Sequence, residues 1–158
     1  MEDIITLCKE QATKAMDGFL HTLSFVPADK VTWSPTPTAK NALQIAAHCA
    51  GCSGAFAGII GAGKFPAKVE DFLGPIQSTT QSITTLEQAE AVLRKGIADT
   101  VAALDTIKPE QVGLTIDTPG LGQTPFTFLM TLPARHLNDH AAQIDYLQTC
   151  WDDQEVHV

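Results

Sequence analysis

Apolar residues recur every three or four positions in four long stretches of this chain, the spacing of one face of an α-helix. The first stretch covers about residues 2–23, before a loop that holds three prolines. The second begins near Thr38, whose hydroxyl group suits an N-terminal cap. It ends at Gly61 or Gly63, where glycine is typical of the position after a helix. We therefore predict two long helices in the first 63 residues.

The second half of the chain predicts two further helices. In TTLEQAEAVLRKGIADTVAALDTI, Thr84 and Glu87 match the capping box of a helix start, and the apolar residues that follow share one face. The last helix begins near Thr124 and ends around Trp151. Pro133 interrupts this stretch, so either the helix bends there or it begins there, where the missing N–H group costs no hydrogen bond.

The segments between these helices are rich in proline, glycine and other turn-forming residues. They predict loops, with one helical turn over residues 70–73 and an extended stretch over residues 113–116. Four long helices with almost no alternating strand pattern predict an all-α fold, a four-helix bundle. At 158 residues the chain is long enough for one domain with a single core.

Charge and cysteine content narrow the classes of function. The chain has 18 acidic and 10 basic residues, a formal net charge of −8, and no basic patch, which excludes nucleic acid as an expected partner. The start, MEDIITLCKE, has no basic region ahead of an apolar run, so we expect no signal peptide. Four cysteines without an export signal indicate reduced thiols in a cytoplasmic protein.

One segment raises the question of a membrane. Residues 41–63 carry no charged side chain, which is long enough for a spanning helix. The segment nevertheless contains His48, several other polar residues and five glycines, without flanking basic clusters or an aromatic belt. We interpret it as a buried helix of a protein that is not associated with a membrane.

The most informative chemistry lies in the last helix, in ARHLNDHAAQIDYLQ. His136 and His140 are four residues apart, so they share a helix face with Gln143 and with the apolar Ile144. Two buried imidazoles this close do not favour being charged together. Either each forms a hydrogen bond in the core, or the two share a divalent cation through neutral nitrogen atoms.

A third histidine favours the cation. His48 lies in an apolar part of the second helix without a charged partner nearby, whereas His21 is near the end of the first helix and His157 is in the terminal tail. We predict a metal site formed by His48, His136 and His140. Three imidazoles accept nickel, zinc, copper or iron, so the identity of the metal stays open. Occupancy should fall below about pH 6.5, the usual pKa of histidine.

Two further motifs have competing interpretations. The segment GIIGAGKF resembles a phosphate-binding loop, but Phe65 replaces the Ser or Thr that binds magnesium, and a helix precedes it. Cys49 and Cys52 have the spacing of a redox motif, but they lie inside a helix and not at its start. We interpret both thiols as structural. Cys52 shares a helix face with His48, so a position at the edge of the metal site is the alternative.

Together these residues resemble the DinB/YfiT-like metalloenzyme family. A loop with Trp33 and Pro35 precedes the second helix, a single histidine follows late in that helix, and the last helix carries His-x-x-x-His with a glutamine shortly after. The resemblance implies a single helical-bundle domain over residues 1–155, often dimeric, whose three histidines hold nickel or zinc at an open site. Cys49, Cys52 and Pro133 depart from the pattern.

The family contains thiol S-transferases that use bacillithiol or mycothiol, so the resemblance implies a possible low-molecular-weight thiol cosubstrate. Our first hypothesis is a metal-dependent thiol S-transferase or hydrolase acting on a small molecule, with Gln143 orienting a ligand or substrate. The alternative is a non-catalytic metal-binding or stress-related bundle. Dimerisation would use the glycine face, defined as Gly51, Gly54, Gly58 and Gly61.

Overall fold

Four long helices pack into a bundle in the computed structural model of the chain, which describes residues 3–155 and residue 157. The elements are α1 (Ile4–Ser24), α2 (Ala42–Ala62), α3 (Val69–Ser82), α4 (Leu86–Asp105), α5 (Pro109–Val112), β1 (Thr115–Thr118), β2 (Gly122–Pro125) and α6 (Phe126–Cys150). The predicted helical fold is therefore confirmed, and α1, α2, α4 and α6 are the four long helices. The predicted start of the first helix at residue 2 lies outside the described residues.

The helix caps differ from two of the predicted positions. Asn41, and not Thr38, caps α2: its side chain accepts a hydrogen bond from the Gln44 N–H at 2.9 Å, and Gln44 Oε1 accepts one from the Asn41 N–H at 3.0 Å. This reciprocal pair satisfies two N–H groups that a cap at Thr38 would leave open. Thr85, and not Thr84, caps α4. Gly63 follows α2 with φ of +66°, as predicted for a glycine at a helix end.

The segment between α2 and α4 is more regular than predicted. The 14-residue helix α3 replaces the expected loop with its single helical turn. Ile76 is its one buried residue, so the sequence lacks the repeated apolar positions that would reveal a helix. Its position depends on α2, since the Thr80 hydroxyl group donates a hydrogen bond of 3.4 Å to the Ala47 carbonyl oxygen.

A short hairpin holds the start of α6. Strands β1 and β2 pair antiparallel, with Ile116 opposite Thr124, in a segment predicted as loop with a short extended stretch. The Phe126 N–H then donates a 2.8 Å hydrogen bond to the Leu114 carbonyl oxygen, which fixes where the helix begins. Helix α6 runs through Pro133, so the alternative start at that residue is wrong.

Helix α2 occupies the centre of the bundle, where it packs against α3, α4 and α6. It is the one helix among the described residues that is long and apolar enough to cross a membrane by length and composition. However, 61% of its most apolar window is buried inside the fold. A core helix has this combination of an uncharged sequence and burial by neighbouring helices.

Glycines permit the close contacts of α2 with its neighbours. A Cβ atom at Gly96 of α4 would lie 2.5 Å from Ser53 Cβ and 3.0 Å from the Gly54 nitrogen. A Cβ atom at Gly51 would lie 2.8 Å from the Ile76 carbonyl oxygen of α3. Part of the glycine face is therefore covered within the chain, whereas Gly54 and Gly58 have nothing within 4 Å of such an atom.

The Gly96→Ala substitution should destabilise the protein by about 1–3 kcal/mol, because the methyl group would overlap both a side chain and the backbone of α2. Gly18→Ala is the matched control, since Gly18 is also within a helix but has open space around it. Its helix propensity should make the control neutral or stabilising by up to about 1 kcal/mol. Urea unfolding measures both, and equal effects would contradict the proposed close packing of α2 and α4.

Candidate metal centre

Helices α2 and α6 bring the three predicted histidines together. The ring centroid of His48 lies 5.1 Å from that of His136 and 4.9 Å from that of His140, and the two rings of α6 lie 4.4 Å apart. One potential ligand nitrogen from each ring lies within 4.8 Å of the other two. The remaining histidines are elsewhere: His21 packs edge to face on Phe25, and the ring of His157 stacks on Phe25.

The closest contact in this three-histidine cluster joins the two helices. His136 Nε2 lies 3.2 Å from His48 Nε2. Nitrogens that share a tetrahedral ion at about 2.0–2.1 Å lie roughly 3.3 Å apart, so the observed spacing suits a shared ion. Without an ion, the same distance suits a hydrogen bond between one protonated and one unprotonated nitrogen.

Gln143 fixes the third ring. Its side-chain oxygen, Oε1, accepts a 2.8 Å hydrogen bond from His140 Nδ1, so Nε2 is the nitrogen of this ring that could bind a ligand. Histidines that bind metals usually donate their other N–H group to an oxygen in this way, which sets the tautomer and the ring orientation. The role predicted for Gln143, orienting a ligand or a substrate, stays a prediction.

The environment keeps the cluster in the form that binds cations. Burial, followed by repulsion from Lys40 and from a proton on His140 whenever that ring carries one, lowers the pKa of His48 to about 4. Burial also lowers the pKa of His136 to about 3, assisted by Lys40 and by the repulsion that a proton on either neighbouring histidine would add. Both imidazoles are therefore neutral at pH 7, with lone pairs available to a ligand.

The donor set fits a divalent cation. His136 Nε2 faces His48 Nε2 and is the nitrogen that would bind an ion, whereas His136 Nδ1 is buried without a hydrogen-bond partner among the described residues. Three neutral imidazoles suit nickel, zinc, copper or iron, and no fourth His, Cys, Asp or Glu of the described residues joins the group. Three protein ligands are typical of a catalytic metal, because a structural zinc usually has four.

Cys52 lies at the edge of this cluster, with its Sγ atom 3.7 Å from His48 Nε2. Burial raises the pKa of its thiol to about 12, and it raises the pKa of Cys49 even further. Both groups are protonated thiols at neutral pH, and neither forms a disulfide. These properties favour the structural interpretation, since the thiolate is the nucleophile and the metal ligand.

A cavity of about 340 Å³ opens beside His48. The start of α2 and the end of α3 form it, with His48 joined in the lining by Lys40, Leu43, Gln44, Ala47, Thr80 and Ile83. A larger cavity of about 560 Å³ lies between α2, α3 and α4, and none of the three histidines lines it. The sequence could not place the smaller cavity because helix α3 was not predicted.

The glycine-rich segment after Gly58 does not form a phosphate loop. Gly58 and Gly61 lie inside α2, and Gly63 is the residue that ends it. A phosphate loop instead follows a strand and precedes a helix, so that its backbone N–H groups and the start of the helix face the ligand. The segment is the carboxyl end of a core helix, as predicted.

The fold and the cluster define a four-helix bundle with a three-histidine centre, and sequence comparison gives the family. The family model of the DinB superfamily matches residues 10–144, so the chain belongs to this superfamily. Trp33, part of the motif that indicated this family, packs edge to face on Trp151 with ring centroids 5.8 Å apart. The motif thus joins the loop before α2 to the end of α6. No curated protein matches the chain significantly.

Solved structures show the same fold. A DinB-like protein of Bacillus subtilis, YjoA, superposes with a TM-score of 0.67 at 17% identity, covering 95% of each chain. A mycothiol-dependent maleylpyruvate isomerase superposes with a TM-score of 0.69 at 12% identity, covering 91% of this chain. This chain spans 63% of the length of that isomerase. A histidine-to-alanine mutant of the isomerase gives a TM-score of 0.68 at 11% identity.

The metal-free protein should lose stability as the pH falls from about 7 to 5. Its unfolded state protonates histidines near pH 6.5, whereas the folded state keeps His48 and His136 neutral to about pH 4 and 3. The unfolded state therefore binds more protons in this window, and acid favours it. The lowered pKa values also affect metal binding, because protons compete with a metal for these two nitrogens. This competition should begin at a lower pH than the value of about 6.5 expected from the sequence.

Urea unfolding of chelator-treated protein at several pH values measures this loss. His136→Gln removes one of the two buried titrating groups, so this variant should lose less stability on acidification than the wild type. His21→Gln is the control, because His21 is exposed and lies outside the cluster. A free energy of unfolding that stays constant over this pH range would contradict the burial argument.

Proposed function

We propose that His48, His136 and His140 bind one divalent metal ion, and that the protein uses it in a thiol S-transfer or hydrolysis reaction on a small molecule. The observation that carries the proposal is the cluster itself, three converging imidazoles whose ligand atoms lie within 4.8 Å of one another. Nickel and zinc are the metals that we expect first, from the donor type and from the family resemblance.

Each part of the centre has a role in this proposal. A bound divalent ion would lower the pKa of a coordinated water or thiol and so supply a nucleophile at neutral pH. His48 and His136 stay neutral through burial, and Gln143 holds the lone pair of His140 Nε2 towards the cluster. The cavity beside His48 would hold the electrophile, with apolar walls from Leu43 and Ile83 that limit its contact with water.

Two observations support thiol transfer over other metal chemistry. The fold is shared with an isomerase that depends on mycothiol, a low-molecular-weight thiol. The buried thiol of Cys52 is protonated, so this residue supplies no thiolate to the centre and the nucleophilic thiol would come from a cosubstrate. Hydrolysis by a coordinated water would use the same centre and is the second form of the proposal.

A non-catalytic metal-binding bundle is the alternative function, and one contact favours it. The 3.2 Å contact between His48 and His136 joins α2 to α6, so a metal there would stabilise the bundle without any turnover. A role in stress would follow from such stabilisation. Turnover separates the two functions, because both predict metal binding by the same three residues.

The expected partners follow from charge and burial. We propose a cytoplasmic protein that binds a small-molecule substrate and neither nucleic acid nor a membrane, given its net charge of −8 and the burial of α2. We also propose a homodimer. Gly54 and Gly58 remain open on the glycine face, whereas α3 covers Gly51, so a partner helix would contact only the open part.

The metal-loaded protein should transfer a small thiol to monochlorobimane, and chelator-treated protein should not. The assay compares bacillithiol, mycothiol, glutathione and coenzyme A with both forms of the protein. Restored activity after the metal is returned would exclude damage by the chelator. If no thiol is transferred and metal leaves the rate at background, thiol transfer is refuted, and hydrolysis and the non-catalytic bundle are the remaining accounts.

Cys52→Ser should retain most of this activity, because the proposal assigns the Cys52 thiol a packing role. His140→Ala should reduce the rate by at least about 10-fold, since loss of even a hydrogen-bonding partner of a metal ligand typically costs about 10–100-fold. A Cys52→Ser variant as inactive as His140→Ala would show that Cys52 takes part in the chemistry.

A further inference from the structure

The cavity beside His48 has a single charged side chain in its lining, that of Lys40. We infer that this cavity binds a small molecule with a carboxylate group, and that Lys40 selects for the negative charge. The inference rests on the proposed function in one respect, because the same cavity would present the substrate or cosubstrate to the centre. Beyond the proposed function, it specifies that this molecule is a carboxylate and assigns its recognition to Lys40, a residue outside the histidine cluster.

The distribution of charge is the first argument. The chain has 18 acidic residues and only 10 basic ones, yet no acidic residue lines this cavity. The ion pairs of the described residues leave Lys40 unpaired. An unpaired cation beside a cavity without acidic groups attracts an anionic ligand and repels a cationic one.

The position of Lys40 in the chain is the second argument. It directly precedes Asn41, the N-terminal cap of the 21-residue helix α2, whose first turn has no acidic residue. The start of a helix carries a partial positive charge, so a lysine there is unfavourable for stability. The helix therefore does not benefit from this cation, whereas a bound carboxylate would interact favourably with both the ammonium group and the helix start.

The other polar groups of the lining supply a further donor. Gln44 Oε1 already accepts the Asn41 N–H at 3.0 Å, which leaves the Gln44 amide N–H groups as donors without a partner among the described residues. The Thr80 hydroxyl group donates to the Ala47 carbonyl oxygen. Donors from Lys40 and Gln44 match a carboxylate, which accepts hydrogen bonds on both oxygens.

Lys40 also lies close enough to the cluster to act on the same ligand. Its charge contributes to the lowered pKa of both His48 and His136. His48 lines the cavity with Lys40, so one small molecule can contact both side chains. The volume of about 340 Å³ is at the lower end of the range for small-molecule sites, which suits a compact acid.

Isothermal titration calorimetry with a matched pair of probes tests the inference. The probes are 3-mercaptopropionate and 3-mercaptopropionamide, which differ in charge but share a thiol and a similar size. The wild-type protein should bind the carboxylate about fivefold more tightly than the amide, the effect of one partly exposed charge-assisted contact. The titrations are made on both zinc-loaded and metal-free protein, so the result does not depend on turnover.

Variants assign the preference to Lys40. Lys40→Gln should bind the two probes equally, Lys40→Arg should keep the preference for the carboxylate, and Lys64→Gln should behave as wild type. Lys64 is the matched control because it is another exposed, unpaired lysine, and it lines the other cavity. No preference in the wild type, or an unchanged preference in Lys40→Gln, overturns the inference.

The metal affinity of the same variant separates this inference from the proposed function. Lys40→Gln should bind zinc as tightly as the wild type or more tightly, because it removes a positive charge near the cluster. A wild-type protein that binds neither zinc nor nickel refutes the proposed function. Even in that case, the relative affinity of the metal-free protein for the carboxylate and the amide probe still tests the role of Lys40.

Discussion

The convergence of three half-buried imidazoles where α2 meets α6 is the constraint on which the proposed centre depends. Burial makes the charged forms of His48 and His136 unfavourable, so these rings are neutral and need partners for their nitrogen atoms. The protein supplies only some of these partners: Gln143 accepts a hydrogen bond from His140 Nδ1, whereas His48 Nε2 and His136 Nε2 face each other at 3.2 Å. A cation satisfies several lone pairs at once, which is why the cluster fits a metal better than an ordinary core.

The second constraint is the close approach of helices to α2. The absence of a side chain at Gly51 lets α3 pack against α2 through Ile76 and Thr80, and this packing closes one side of the cavity beside His48. Few apolar residues hold α3 in place, so its position depends on α2 more than on its own sequence. The histidine cluster and the cavity beside it are thus both built on the central helix α2.

The histidine cluster could be predicted from the sequence, whereas the position of α3 and the cavity beside His48 could not. The spacing of His136, His140 and Gln143 on one face, with His48 in an apolar helix, indicated the cluster because helical periodicity is local information. The position of α3 was not predicted, since Ile76 is its one buried residue and its place is set by packing against another helix, α2. The functional importance of Lys40 also escaped the sequence, because its place beside a cavity depends on where α3 packs.

Metal analysis of untagged protein tests the central claim most directly, namely that the three histidines form one metal site. The account predicts about one divalent ion per wild-type chain and per His21→Ala chain, and a sharp loss in His48→Ala, His136→Ala and His140→Ala. Circular dichroism should show that each variant remains folded. Full metal content in His136→Ala would place the site elsewhere and contradict the account.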